Sequence, residues 1–421
     1  MDTHAIPRIR DFDDPDYDPF NAMGTLGGEY RIRDCYPELA RLRHLSPVFD
    51  GDIRVHFGLY PDLTMQHLRH FAVLGHAEAM AVLADSRTFS NKVYENNLGV
   101  YFGRSVTTMD GQAHFDNRRL FQKAFNPKMV EEWGKDMIPR MIHRLIDGFA
   151  GDGKAELVSQ FTLHFPFHFI HELMALPEED RAIFHKLAFG QIGIIFDHEH
   201  GMDAITKLKE YLTAIVHHRR VHPLSDSDLI SNLAQLSGPG GELEDDIVIA
   251  FFRQLMNAGG DTSYHGFSSV LAALLTHPDQ LEAVRRDRSL VPQALEEGLR
   301  WNAPVPGISR TPTREIEIAG VTMRPGDHVL VMLGAANRDE RAFPAPDRFD
   351  IFRKPTGHMP FGHGRHICIG QHLARMEMTV ALNALLDRLP GLRADPDLPA
   401  PEVVGFALRG PHEVHVRFDP A

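Results

Sequence analysis

Seven long stretches of the chain carry apolar residues at helical spacing, around 115–148, 155–176, 178–195, 202–220, 245–276, 280–301 and 369–389. Strand-like patterns occur in only three places. Asp52–Phe57 alternates apolar and polar residues, with His70–Leu74 as its expected partner. Glu315–Ile318, the Ala319-Gly320 turn, Val321–Met323 and, after Pro325-Gly326, His328–Leu333 read as a small meander. Val414, Val416 and Phe418 alternate near the C-terminus. Helices and strands do not alternate as βαβ units, which excludes a doubly wound parallel sheet. The expected fold class is mainly α with small β-sheets. The Pro- and Gly-rich stretches 302–307 and 342–364 read as ordered loops, and no boundary divides the chain. Residues 1–421 are therefore expected as a single domain, with 1–30 an N-terminal extension and 245–276 a central helix.

Composition narrows the function. At 43% hydrophobic and 24% charged, the 421-residue chain is neither disordered nor fibrous. A net charge of −13 argues against binding the phosphate backbone of nucleic acid. The start, Met1 to Asp18, is acidic with two prolines and lacks the pattern of a signal peptide. No apolar run reaches the length of a membrane span, about 18 residues. A soluble, cytoplasmic, monomeric protein is expected. The two cysteines, Cys35 and Cys368, exclude a disulfide framework and an all-cysteine zinc site. Cys35, in a polar region, reads as incidental. Among the 26 histidines, Asp197-His-Glu-His200, His217-His218-Arg219-Arg220 and His171-Glu172 lack a complete metal-ligand set and read as solvated surface. Phe161, Phe165, Phe167 and Phe169 read as core.

Chemistry concentrates elsewhere. Phe361-Gly-His-Gly-Arg-His-Ile-Cys-Ile-Gly370 places three glycines around Cys368, just before a helix carrying Leu373, Met376, Val380, Ala384 and Leu385 on its apolar positions. A helix N-terminus, with Arg365 and His366 nearby, favours thiolate. Such a cysteine is a small buried hydrophobe, a nucleophile or a metal ligand; no Cys-His-Asn signature accompanies it. Mid-helix, Ala258-Gly-Gly-Asp-Thr-Ser263 sets two glycines side by side, at a cost of about 1 kcal/mol each relative to alanine. Either close helix packing or the approach of a flat ligand, with a break in the helical ladder, would justify that cost. Glu297 and Arg300 share a helix face, as do His114 and Arg118.

Phe-Gly-x-Gly-x-His-x-Cys-x-Gly resembles the haem-binding loop of the cytochrome P450 family at every defining position. The resemblance implies the P450 fold, a helix-rich domain plus a minor β region enclosing haem b (iron protoporphyrin IX). Cys368 would be the axial thiolate of the iron, with Phe361, Gly362 and Gly370 shaping the loop and backbone N–H groups tuning the sulfur. Ala258 and Gly259 would border the oxygen groove. Thr262 would stabilise dioxygen and Asp261 relay protons from solvent. Arg348 would join Glu297 and Arg300 in a structural triad. His114, Arg118, Arg310 and His366 would meet the two haem propionates. The substrate pocket would draw on Leu98, Tyr101, Phe102, Thr107, Phe251, Leu255, Ala258, Val305, Ile308 and Phe406, with a lid from Phe189, Ile192 and Ile195. Lys92, Arg104 and Arg253 lie where an anionic substrate could be anchored.

The implied activity is a bacterial-type, soluble haem-thiolate monooxygenase. It inserts one atom of dioxygen, the co-substrate, into a terpenoid, aromatic or fatty-acid-like small molecule. Two cysteines cannot hold an iron–sulfur cluster that needs four thiolates. Electrons would come from NAD(P)H through ferredoxin reductase and ferredoxin, docking near Arg365. Two alternatives are a peroxide-driven peroxygenase, which needs no Asp261-Thr262 relay, and a non-catalytic haem-based ligand sensor, for which no signalling segment is evident.

Overall fold

The computed structural model describes residues 6–20, 31–62, 64–195, 197–224, 228–238, 241–354 and 357–420. Residues 1–5 and 21–30 of the expected extension lie outside them. Residues 6–20 do not hang free: Ile9 and Phe12 are buried in the main core. Asp13 accepts a hydrogen bond from the buried Lys207 at 2.7 Å.

The long helical patterns form helices, broken where local chemistry demands it. The 115–148 pattern is three helices, α1 (Gly111–Ala124), α2 (Pro127–Lys135) and α3 (Met137–Asp147). The Asn126 side chain accepts the Met129 N–H at 3.1 Å and Pro127 follows at the first turn, so a new helix begins there. Next come α4 (Phe165–Leu173), α5 (Arg181–Ile192), α6 (His198–Val221) and α7 (Asp245–Leu255). A π-helical turn, Met256–Asp261, joins α7 to α8 (Thr262–Thr276). The 280–301 pattern divides into α9 (Pro278–Arg286) and α10 (Val291–Trp301), and α11 (Gln371–Arg388) follows the cysteine loop. In α8 every residue from Ser263 to Leu275 is buried, so this helix is the axis of the molecule. The four phenylalanines from Phe161 to Phe169 are fully buried in the same core.

One expected strand is a helix. Asp52 accepts the Arg54 N–H at 2.8 Å and caps the short helix Ile53–His56, overriding the alternating pattern. The partner of β2 (His70–Val73) is instead β1 (Val48–Asp50). With β3 (Phe89–Ser90), β4 (Ile308–Pro312) and β5 (His328–Val331) they form a sheet in the order β1-β2-β5-β4-β3. Only the β2–β5 pair is parallel, with His70 beside His328. Ile316–Ile318 and Val321–Met323 form a separate hairpin. His415–Arg417 pairs with Lys154–Glu156 and with Arg393–Ala394. No helix among the described residues is long and apolar enough to cross a membrane.

Cys35 is not incidental. It is 1% exposed, packs with Tyr36 and Phe406, and lies 3.5 Å from Arg409 Nη1.

Candidate active site

The cysteine loop is closed by Cys368 N–H donating to the Phe361 carbonyl at 3.0 Å. Gly362 and Gly364 have φ of +74° and +75°, a region that L side chains avoid. A Cβ on Gly364 would also lie 2.2 Å from the Leu83 carbonyl oxygen. Gly370 has an ordinary φ of −85° and begins α11. Its N–H and that of Gln371 point at the Cys368 sulfur. Burial pushes the thiol pKa up, while these two N–H groups and the charges of Arg118 and Arg375 pull it down. The residue nonetheless keeps accessible surface. A Lewis-acidic metal on the sulfur would tip this balance to thiolate.

Helix α1 lies against the loop, with Arg118 Nη2 donating to the Ile367 carbonyl at 2.6 Å. On the same face His114 is buried, and neither ring nitrogen has a hydrogen-bond partner. Burial, then the charges of His366 and Arg118, hold its pKa down to about 4. Arg310 is buried on β4 and donates one N–H to the Ser309 carbonyl at 2.8 Å. An anion is the missing partner for this set. A carboxylate would accept from the orphaned His114 ring and from the remaining guanidinium donors. The donors thus fit haem: a sulfur framed by amides, and cation-capable groups for two propionates. His366 departs from expectation. Its Nε2 lies 3.2 Å from Asp110 Oδ1 and its Nδ1 3.1 Å from Asn91 Nδ2, so both nitrogens are already engaged by protein. Asp110, which also accepts from the Ser90 hydroxyl at 2.5 Å, was not singled out from the sequence.

On the central helix the two glycines have different reasons. A Cβ on Gly260 would sit 2.5 Å from the Phe167 ring, which is close packing. Ala258 is exposed and Leu255, Gly259 and Thr262 are half-buried, next to the wholly buried run from Ser263 to Leu275, so this face is open. The helical ladder does break here, in the π turn. Thr262 Oγ1 donates to the Ala258 carbonyl at 2.6 Å. Asp261 is buried, with Oδ1 3.2 Å from His265 Nδ1. That ring N–H is aimed at the Asp261 carbonyl, 3.0 Å away, which leaves Oδ1 without a hydrogen bond. His265 Nε2 lies 3.0 Å from the Tyr264 hydroxyl. Nothing in the sequence pattern pointed to His265; only its place four residues after Asp261 could have.

The Glu297–Arg300 pair is fully buried, at 2.7 Å. Its third member is Arg353, not Arg348. Arg353 Nε is 3.3 Å from Glu297 Oε1, while the Arg348 side chain turns outward to Asp350. Arg348 contributes only its backbone carbonyl, to Arg300 Nη2 at 3.4 Å. Adjacent Glu296 takes Arg375 of α11 at 2.5 Å and His358 at 2.7 Å, and the Arg375 guanidinium covers the Phe361 ring at 4.3 Å. This second network, also unforeseen, ties α10 to the cysteine loop.

The expected pocket residues scatter. A cavity of about 620 Å³ is lined by Tyr101 and Phe406 of that set, with Ile194, Leu330, Met332 and Phe71, and with Asp52, Asp62, His70 and His328. Its wall is more polar than expected. Phe251 is core, stacked on Phe121 with ring centroids 4.0 Å apart. Phe102 is buried against Ile194 and Ile205, with Leu98 packed on that cluster. Leu255, Thr107, Val305 and Ile308 are half-buried outside the cavity wall. Phe189 and Ile192 of the expected lid pack on the main core, and the Ile195 side chain lies outside the described residues. Arg253 is no free anchor: buried, it donates to the Tyr101 carbonyl at 2.6 Å, and burial lowers its pKa to about 10. Arg104 pairs with Glu244, and Lys92 is exposed.

A family model described as "Cytochrome P450" matches residues 194–390. The chain is 31% identical to the "Biotin biosynthesis cytochrome P450" of Bacillus subtilis, covering 88% of this chain and 93% of that protein. It is 33% identical to "Cytochrome P450 monooxygenase PikC" of Streptomyces venezuelae, covering 90% and 89%. Among solved structures, cytochrome P450 CYP109Q5 from Chondromyces apiculatus superposes with a TM-score of 0.82 at 30% identity, covering 92% and 96%. Identity sustained over most of the length, on one shared architecture, settles the family: the chain belongs to the cytochrome P450 family and is a P450 monooxygenase of the bacterial kind.

Proposed function

We propose that this chain is a ferredoxin-dependent monooxygenase of hydrophobic small molecules, acting as a cytoplasmic monomer built as one domain. The observation that carries the reading is the Asp261-Thr262 pair, set on a π turn whose open face holds Ala258 and Gly259. The overall reaction takes dioxygen, two electrons, two protons and substrate R–H to R–OH and water. Haem, when bound, supplies the dioxygen-activating centre, held through Cys368 and by its propionates through His114, Arg118 and Arg310. Thr262 keeps a hydroxyl at the open face, oriented by the Ala258 carbonyl. Asp261 holds a carboxylate that can take a proton and pass it on. His265, held by the Tyr264 hydroxyl and the Asp261 backbone carbonyl, lies 3.2 Å behind that carboxylate without hydrogen-bonding it.

Electrons are supplied by a ferredoxin on the cysteine side. Arg365 is exposed on that loop, and Arg119 and Lys123 are exposed on α1, which touches it. An acidic partner fits this local face despite the overall negative charge. The substrate reading rests on the aromatic and aliphatic part of the cavity wall. It also rests on relatives named for bulky apolar ligands, among them "6-deoxyerythronolide B hydroxylase" and a CYP109E1 complex with testosterone.

The test is turnover with NADH, a surrogate ferredoxin and its reductase under isotopically labelled dioxygen, over a panel of terpenoids, fatty acids, steroids and macrolides. Labelled product formed only with the complete electron chain is expected. Efficient product formation with hydrogen peroxide alone would replace the reading with a peroxygenase. Ligand binding without product under either condition would replace it with a sensor.

A further inference from the structure

Three imidazoles outside the active site converge between α4 and α5. His164, at the N-terminus of α4, and His168, four residues on, share one helix face; His185 reaches them from α5. One ring nitrogen from each lies within 4.8 Å of the other two. The ring centroids are 5.5, 5.4 and 6.0 Å apart. No other group of three such ligand residues occurs among the described residues. The i, i+4 spacing of His164 and His168 is visible in the sequence; the partner across the helix pair is not.

Two observations point to a ligand. His185 is 4% exposed, and its Nε2 is buried with no hydrogen-bond partner. An orphaned nitrogen in such a place is costly unless something binds it. His164 Nε2 lies 2.7 Å from the Ser159 carbonyl, which orients the ring and leaves Nδ1 for another bond. A metal-ligating histidine is held by the same kind of outer contact. Burial keeps all three rings below the usual histidine pKa, His168 at about 3, so they are neutral near pH 7 and in ligand form.

We propose that His164, His168 and His185 form a binding site for one divalent transition metal of the Zn2+ class, joining α4 to α5. Three neutral imidazoles with an open fourth position suit Zn2+, Cu2+ or Ni2+, and not Mg2+ or Ca2+, which take oxygen ligands. Tetrahedral Zn–N bonds of about 2.0–2.1 Å require the nitrogens to draw together. His164 and His168 are half-buried and can rotate to do so. The surrounding charge sets a limit on affinity. Arg144 and Arg181 act on His168, and His171 is nearby; Arg181 is partly offset by Glu178 at 2.7 Å. The site matters because α5 carries Gln191. Its amide donates to the Arg253 carbonyl at 3.0 Å and to Asn257 Oδ1 at 2.8 Å, beside the π turn. A metal bridge would hold α5 in that register.

The experiment titrates Zn2+ into tag-free, haem-loaded protein by calorimetry, with Mg2+ and Ca2+ as controls. One Zn2+ per chain is expected, with a rise in Tm at Zn2+ well above Kd. His164→Ala and His168→Ala should each weaken binding at least tenfold, and the double variant should abolish it with the haem spectrum unchanged. Because His185 is buried and its replacement perturbs packing as well as binding, Cu2+ electron paramagnetic resonance on the unaltered chain supplies the third ligand, as a three-nitrogen hyperfine pattern. Unchanged affinity in the double variant, no Zn2+ uptake, or fewer than three nitrogens would each overturn the proposal.

Discussion

Glu297 carries its carboxylate in a fully buried position, and two guanidiniums share it. Removing Arg353 leaves part of that charge unpaired and frees the carbonyls of Pro344 and Ala345 as well. Arg353→Ala should therefore cost about 2 kcal/mol in chemical denaturation. Arg348→Ala, with an exposed side chain, should stay within about 0.5 kcal/mol of the parent. Equal effects would return Arg348 to the network. At the open face, Asp261→Asn should lower the product-forming rate by roughly 10² while NADH consumption persists. His265→Ala should lower product per NADH without altering the substrate-induced spin shift; unchanged coupling would show that Asp261 does not depend on His265. Thr262, Asp261 and Cys368 were legible because their neighbours follow a fixed spacing. His265, Asp110 and Arg353 were not, since each acts through a contact that only folding creates.

At the scale of elements, periodicity located most helices and missed what punctuates them. The 245–276 pattern is continuous in apolar spacing, and only its paired glycines hinted at the π turn that divides it. Gly260 shows why the turn's packing is intolerant. Gly260→Ala would push a methyl into the Phe167 ring and should cost about 1–3 kcal/mol, with α4 or α8 displaced. Asp52–Phe57 misled because an aspartate cap outweighs a two-residue period over so short a stretch. The Glu296 network adds a pH dependence. Burial alone would raise its pKa, but hydrogen bonds from His358 and Arg375 outweigh it and hold the value at about 2. The folded value lies below the unfolded one, so this contribution is present above about pH 4.5 and is lost as pH falls toward 2. Denaturation curves of Glu296→Gln should lack that segment of acid sensitivity; a parent-like slope would contradict the assignment.

At the scale of the whole molecule, the helix-rich class and the minor β region were readable, whereas the pairing of β2 with β5 joins segments remote in sequence and left no local trace. Buried histidines set a general acid sensitivity. His168, His171 and His328 are held by burial at about 3, 4 and 4. Between those values and about 6.5 the unfolded chain binds more protons, so stability should fall as pH drops from 7 to 4.5. A urea midpoint that stays constant over that range would contradict this. The haem-thiolate assignment unites the fold, the loop and the family, and one spectrum tests it most directly: the carbon monoxide complex of the reduced, haem-loaded protein. The parent chain should show the long-wavelength thiolate-type Soret band, and Cys368→Ser should lose it with haem still bound. Persistence of that band in Cys368→Ser, or its absence in the parent, would contradict it.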